Sequence, residues 1–113
     1  MKPINLNIKR KGDVAEYYAV TWLWDNGYEV FQNSGCTGPI DMIAIKEGQS
    51  TLIDVKTMCK DKNSPNYRGK ISKTELQKKL GVKFLLFHPL TRKLRWSRHG
   101  IKGRIPNEEK TIK

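Results

Sequence analysis

Residues 38–57 carry the sequence Gly-Pro-Ile-Asp-Met-Ile-Ala-Ile-Lys-Glu-Gly-Gln-Ser-Thr-Leu-Ile-Asp-Val-Lys-Thr. Two short apolar runs, 42–45 and 52–55, flank a polar segment, 47–50, whose composition is typical of a tight reversal of the chain. The pattern predicts a β-hairpin with Asp41 on one strand and with Asp54 and Lys56 on the next.

The charged residues of the hairpin stand inside apolar strands, where Asp and Lys are rare unless they have a partner. Because side chains alternate along a strand, Asp54 and Lys56 share one face and Val55 points to the other. Paired carboxylates suit Mg²⁺, which takes oxygen ligands and neutralises charge on a phosphate, and a lysine beside them can orient an attacking water. The pattern indicates phosphodiester hydrolysis. The alternative is an ordinary amphipathic hairpin with exposed charges.

Specific segments of the chain resemble a known nuclease superfamily. Pro39-Ile40-Asp41 followed by Asp54-Val55-Lys56 resembles the P-D…(D/E)-x-K signature of restriction-endonuclease-like nucleases. Residues 12–57 more narrowly resemble the archaeal-type Holliday-junction resolvases, whose motifs correspond in order to 12–16, 27–30, 33–35, 38–44 and 54–56. The chain departs from that family at Asp54, where resolvases more often have Glu, and in a long basic insertion after Thr57.

The resemblance implies an α/β restriction-endonuclease-like fold, with a mixed central β-sheet flanked by helices in the order αβββαββ. It also implies that Asp41, Asp54 and the backbone carbonyl of Val55 bind Mg²⁺, for which Mn²⁺ can substitute. Lys56 would position the hydrolytic water, and Glu16 would contact the metal directly or through water. From the residues alone, Glu16 in the first turn of a helix is also explained by the helix dipole.

The charge of the chain is unevenly distributed. The 113 residues carry a net charge of +11, with 5 Lys/Arg against 7 Asp/Glu in residues 1–54 and 17 against 4 in residues 55–113. A strongly basic half is typical of a protein with a polyanionic partner, whose binding weakens as salt rises, but charge alone is equally explained by a merely soluble basic surface. The carboxylate cluster of the hairpin favours nucleic acid, here DNA. A basic RNA-binding protein would have the same charge but would leave the acids of the hairpin unexplained.

Length and composition limit the remaining possibilities. The chain is long enough for one core but small for an enzyme acting alone, so a homodimer is expected. No apolar run approaches the ~20 residues of a membrane span, and the N-terminus lacks a signal sequence, which predicts a cytoplasmic or nucleoid-associated protein. The two cysteines form no Cys-x-x-Cys pair, so neither a zinc site nor a disulfide framework is expected.

The sequence predicts three parts: a basic flexible N-terminus (1–11), a nuclease domain (12–99) and a basic C-terminal tail (100–113). Within the domain, helices are expected over 12–26 and 72–80, the second opened by a capping box at Ser72 and Glu75. Leu76 and Leu80 would form its inner face. A supporting role at the active site is considered for Gln77, but a solvent-facing position is favoured.

The remaining segments are strands and loops. Strands are expected at 28–32, 82–87 and 94–98, with 82–87 buried on both faces, and 58–70 is expected to be a mobile loop that grips the substrate. Tyr67 of that loop could stack on an unpaired base. The residues expected to contact DNA are Lys9, Arg10, Lys11, Ser34, Lys60, Lys62, Arg68, Lys70 and Lys73.

Together these features predict a Mg²⁺-dependent DNA endonuclease that is structure-selective and resembles Holliday-junction resolvases. A small site-specific, homing-type endonuclease that cuts double-stranded DNA is the alternative within the same class. A non-catalytic DNA-binding module that retains the fold is the alternative from another class.

Overall fold

The computed structural model describes residues 8–35, 38–69 and 73–98. The larger elements follow one another as a helix, three strands, a second helix and two strands, and a short hairpin of two further strands lies between the third strand and the second helix. The predicted C-terminal tail lies outside the described residues. The elements are α1 (Ile8–Asp25), β1 (Glu29–Gln32), β2 (Met42–Lys46), β3 (Gln49–Thr57), β4 (Cys59–Lys60), β5 (Tyr67–Arg68), α2 (Glu75–Leu80), β6 (Lys83–Phe87) and β7 (Leu94–Trp96).

The five longer strands form one mixed sheet in the order β1-β2-β3-β6-β7. All neighbours are antiparallel except β3 and β6, which run parallel because α2 and its connections return the chain between them. Residues 84–87 of β6 are all buried, as expected for an inner strand covered on both faces. The middle strand, β3, is the one that carries Asp54 and Lys56.

The predicted hairpin is formed by β2 and β3. Its reversal is a two-residue turn in which Glu47 and Gly48 both have positive φ, 53° and 78°. Both residues of a type I′ turn require positive φ, and this turn matches the twist of the flanking strands. The turn sets the register in which Lys46 pairs with Gln49 and Met42 pairs with Ile53. Continuing that register by one residue brings Asp41 level with Asp54.

Helix α1 begins earlier than the sequence predicted. Residues 8–11, assigned to a flexible N-terminus, belong to the helix, so Asp13 lies in its second turn and not at its start. There Asp13 pairs with Arg10, 3.7 Å away. The helix ends as predicted, before Gly27, whose φ of 89° is the left-handed conformation that favours glycine at a helix end.

The main core lies between α1 and the sheet. Ala15, Ala19 and Leu23 are almost fully buried on the helix side, opposite sheet residues such as Ile53 and Leu85. The two alanines allow close approach of helix and sheet, and each fully buried Leu or Ile contributes roughly 1.5–3 kcal/mol. None of the helices within the described residues is long and apolar enough to cross a membrane.

The two tryptophans of α1 differ in their environment. Trp22 packs edge-on against Trp96 with a ring-centroid distance of 6.0 Å. Trp24 remains 58% exposed, so α1 is covered by the sheet on one side only.

Helix α2 differs from its prediction in two respects. Its capping box is formed by Thr74 and Gln77, not by Ser72 and Glu75. Its inner face carries Gln77, which is buried, whereas Leu76 and Leu80 are 53% and 41% exposed. The helix is therefore oriented by the polar contacts of Gln77 and not by its apolar residues.

The segment expected to be a mobile loop contains the short hairpin of β4 and β5. Asp61 and Arg68 form an ion pair of 3.1 Å across it. Gly69, just after β5, lies so close to the sheet that an added Cβ would stand 2.6 Å from the Leu86 side chain. This hairpin therefore packs against the sheet beside the carboxyl end of β3.

Candidate active site

Asp41 and Asp54 meet where the ladder between β2 and β3 ends. The Asp41 N–H donates to the Ile53 carbonyl at 2.8 Å, but the Val55 N–H donates to the Asp41 side chain, with 2.7 Å between Val55 N and Asp41 Oδ2. A carboxylate thus takes the place of a backbone acceptor from β2. The Asp41 side chain also forms a hydrogen bond with the carboxyl group of Asp54. The predicted pair of acids is therefore in direct contact.

Asp54 is only 7% exposed and is held by two further side chains. Lys56 Nζ lies 3.2 Å from Asp54 Oδ2, and Gln77 Nε2 donates to the same oxygen at 3.3 Å. Hydrogen bonds to an ionised acceptor are stronger than neutral ones, and burial reduces their screening by water. The side chain of Lys56 is about four-tenths exposed, so its ammonium lies at the edge of the site.

The pKa of Asp41 is raised to about 7. Burial is the largest cause, followed by the hydrogen bond with Asp54, and the charges of Asp54 and Glu16 act in the same direction. The hydrogen bond from the Val55 N–H opposes the shift but does not cancel it. Below about pH 7 Asp41 is therefore mostly protonated, and its hydrogen bond with Asp54 shares that proton between the two carboxyl groups.

Glu16 lies within electrostatic reach of the pair. Its pKa is raised, first by burial and then by the negative charges of Asp13 and Asp54. Within residues 8–35, 38–69 and 73–98, however, no three Asp, Glu, His or Cys side chains converge closely enough to hold a metal ion together. The contact of Glu16 with a metal ion, directly or through water, stays a prediction.

The donor set fits a hard divalent cation. In an extended strand the N–H and C=O of one residue point to the same side, so the Val55 carbonyl faces the same edge as its N–H, toward Asp41. The groups available are then two carboxylates and one carbonyl, all oxygen donors. Mg²⁺ is commonly bound through one or two carboxylates and retains several waters, and a bound cation can replace the proton that the pair shares.

The sequence analysis favoured a solvent-facing position for Gln77, and that prediction was wrong because the side chain is buried. Its Nε2 donates to the Pro39 carbonyl at 2.9 Å as well as to Asp54, and so connects β3 with the segment that leads into β2. Its Oε1 accepts the Thr74 N–H at 3.1 Å as part of the capping box. The Thr-x-x-Gln spacing was the signal in the sequence that could have identified it.

Asn33 supports the site from the other side. Its Nδ2 donates to the Ile40 carbonyl at 3.0 Å, and its backbone N–H donates to the Asp41 carbonyl at 2.9 Å. These bonds hold two successive backbone carbonyls, those of Ile40 and Asp41, in place. The residues predicted for the catalytic centre are therefore brought together, with Glu16 at its margin.

The residues expected to contact DNA occupy several environments. Lys11 and Lys60 line a common cleft with Lys56, beside the carboxyl end of β3. Arg10 and Arg68 are exposed but pair with acidic neighbours, and Lys73 lies 5.6 Å from the centre of the Phe84 ring. Ser34 and Lys62 are exposed, while Lys70 and the side chain of Lys9 lie outside the described residues. Arg92, which also lines the cleft, was not anticipated.

Comparisons with known proteins agree with this architecture. No protein-family model matches the chain, and no curated protein matches it. Among solved structures, the chain is similar to the bacterial homing endonuclease I-Ssp6803I, with a TM-score of 0.66 and 18% sequence identity. The match covers 80% of this chain and 64% of that one, so the chain spans less than two thirds of that endonuclease. At this identity the likeness is one of fold.

The raised pKa of Asp41 predicts that the site lowers the stability of the metal-free protein above neutral pH. A folded-state pKa of about 7 lies above the unfolded value of about 3.9, so the contribution of the proton to stability is present below pH ~4 and is lost as pH rises through 7. Asp41→Asn cannot ionise and is expected to unfold at a higher temperature than wild type at pH 8. Each 1 kcal/mol gained corresponds to roughly 4–8 °C in a domain near this size.

Thermal unfolding in the presence of a chelator at pH 5 and pH 8 measures this effect, and the gap between the two proteins should narrow at pH 5. Asp25→Asn serves as control because Asp25 is exposed at the end of α1. An Asp41→Asn variant that is no more stable than wild type at pH 8 would contradict the shared proton.

Proposed function

We propose that the chain is a metal-dependent DNA endonuclease of the homing type, which hydrolyses phosphodiester bonds in double-stranded DNA. The observation that carries this proposal is the contact between the Asp41 and Asp54 carboxyl groups, with the Lys56 ammonium 3.2 Å from Asp54. The fold shared with a bacterial homing endonuclease and the net charge of +11 support it.

In this proposal Asp41, Asp54 and the Val55 carbonyl would hold Mg²⁺ or Mn²⁺, and Glu16 would accept a hydrogen bond from a water bound to the ion. When bound, such a cation neutralises charge on the scissile phosphate and lowers the pKa of a coordinated water. Gln77 keeps Asp54 in a fixed orientation, since its amide bridges Asp54 and the Pro39 carbonyl. Hydrogen bonds that orient a metal-binding side chain typically contribute about 10–100-fold to metal affinity or activity.

Lys56 is proposed to position the attacking water. Its ion pair with Asp54 holds the ammonium beside the acids, and its partial exposure leaves N–H donors free to turn toward solvent or a phosphate oxygen. A fixed positive charge at that point also stabilises the negative charge that develops as the phosphate is attacked. The lysine therefore acts on water and phosphate, while the acids act on the metal.

The fold likeness to a homing endonuclease favours a linear duplex substrate. The preference for a four-way junction rests on the sequence resemblance of residues 12–57 alone. A non-catalytic DNA-binding module is disfavoured, because two opposed carboxyl groups at a sheet position are destabilising and serve no purpose in binding a polyanion. We also propose that two copies act together, since one site hydrolyses one strand.

The roles of the acids and the lysine are tested by substitution. Lys56→Ala and Asp54→Asn are each expected to reduce Mg²⁺-dependent DNA cleavage at least ~100-fold, because each removes charge stabilisation or metal binding from the reaction. Binding to the same DNA, measured by gel shift with Ca²⁺, should change by only a few fold. Lys93→Ala is the matched control, since Lys93 is exposed in the β6–β7 turn. Cleavage by Lys56→Ala at the wild-type rate would show that the site is assigned incorrectly.

Substrate class is tested by competition. A library of linear duplexes with a randomised segment, an immobile four-way junction and a flap are incubated together with the protein and Mg²⁺, and the cut ends are sequenced. The proposal predicts double-strand cuts confined to a restricted set of duplex sequences. Cleavage of the junction, with no cleavage of any linear duplex, would instead identify a resolvase.

A further inference from the structure

A cleft of about 630 Å³ adjoins the candidate active site. It lies between the first half of α1, the β4–β5 hairpin, the β6–β7 turn and the carboxyl ends of β3 and β6. Its apolar lining includes Val14, Val55, Met58 and Phe87. Strand β3 runs from Asp54 directly into it through Val55, Lys56 and Thr57. Whatever occupies the cleft is therefore adjacent to the bond that the site would cut.

Among the residues that the structure describes, the charged ones that line the cleft are Lys11, Lys56, Lys60 and Arg92, with no Asp or Glu. Such a lining is complementary to a ligand that has both a flat apolar part, which would contact the apolar side chains, and a negative charge, which would contact the cations. A nucleotide has both, and the volume lies within the range of about 300–1,000 Å³ typical of small-molecule sites. An inorganic anion or a bare phosphate would leave the apolar surface unused.

Two residues of the cleft are held in place by ring contacts. The Tyr67 ring lies 4.4 Å from the His88 ring, centroid to centroid. The Arg92 guanidinium lies 5.4 Å from the centre of the Tyr18 ring, and Arg92 itself has a left-handed backbone with φ of 65°. That conformation is uncommon outside glycine and persists where the surroundings impose it. An aromatic ring and a cation are therefore already ordered at the cleft.

Gly12 supplies an independent observation. It lies inside α1, where glycine is less favourable than alanine. A Cβ built at this position would meet nothing within 4 Å, so packing within the described protein does not require glycine there. Gly12 lines the cleft, and its missing side chain leaves the entrance wide on the α1 side.

We propose that this cleft binds one unstacked nucleotide of the DNA strand being cut, with its base against the apolar lining and its flanking phosphates on the cations. The inference rests on the proposed endonuclease function and names a feature of its substrate. The free energy lost when a base leaves the stack is offset by stacking or apolar contact with the protein. The nucleotide would lie within a few positions of the cleaved bond.

The test uses 2-aminopurine, whose fluorescence rises when it leaves the base stack. It is placed in turn at each position near the cut in a cleaved duplex, and binding is measured with Ca²⁺ so that no hydrolysis occurs. One position is expected to brighten several-fold with the wild-type protein. Gly12→Leu, which fills the entrance and suits a helix, is expected to remove most of that signal, and Gly12→Ala to remove less of it. Gln49→Leu, exposed at the far end of the hairpin, should retain it.

Cleavage provides the second readout. Gly12→Leu should cut the intact duplex at least several-fold more slowly than wild type, and an abasic residue at the bright position should restore much of its rate, since no base then needs the cleft. If no position brightens, or if Gly12→Leu behaves as Gln49→Leu does, the nucleotide site is wrong while the endonuclease proposal stands. If wild type cuts no DNA with Mg²⁺ or Mn²⁺, the proposed function fails and this inference fails with it.

Discussion

The contact between the carboxyl groups of Asp41 and Asp54 is the constraint on which the site depends. It follows from the register of one hairpin, which the Glu47–Gly48 turn fixes by pairing Met42 with Ile53. Opposed acids would be avoided in a sheet selected for stability alone, because like charges directly across a strand pair are destabilising. The protein retains them by ending the ladder there, so that Asp41 accepts the Val55 N–H and shares a proton with Asp54.

The side chains around the Asp41–Asp54 pair differ in what they contact. Gln77 and Asn33 fix the segment that carries Asp41, through the Pro39 and Ile40 carbonyls. Lys56 places a cation at the exposed edge, and the cleft beyond Val55 extends the same edge with further cations. The proposed function, in which a phosphate backbone is held against a metal ion, accounts for both the cost in stability at the pair and the cationic surface beside it.

Local sequence patterns were enough to predict several elements of the fold and the acids of the site. The hairpin, the stop of α1 at Gly27 and the buried strand β6 follow from turn residues and apolar runs, and the acids and Lys56 were identified because charges interrupt those runs. Gln77 was misjudged because Leu76 and Leu80 suggested the opposite inner face, and only tertiary contacts decide between them. Arg92 and the cleft could not be predicted, since their position depends on how α1, a hairpin and a turn meet in space.

Calorimetry of Mn²⁺ binding tests the central claim most directly, since a metal that displaces the shared proton must release it. Titrations at pH 6 and pH 8.5, each in two buffers of different ionisation enthalpy, give the number of protons released. The account predicts about one proton at pH 6 and nearly none at pH 8.5, because the pKa of Asp41 is raised to about 7. Asp41→Asn should bind more weakly and release none. Tight Mn²⁺ binding with no pH-dependent proton release, or no binding by the wild-type protein, would contradict the account.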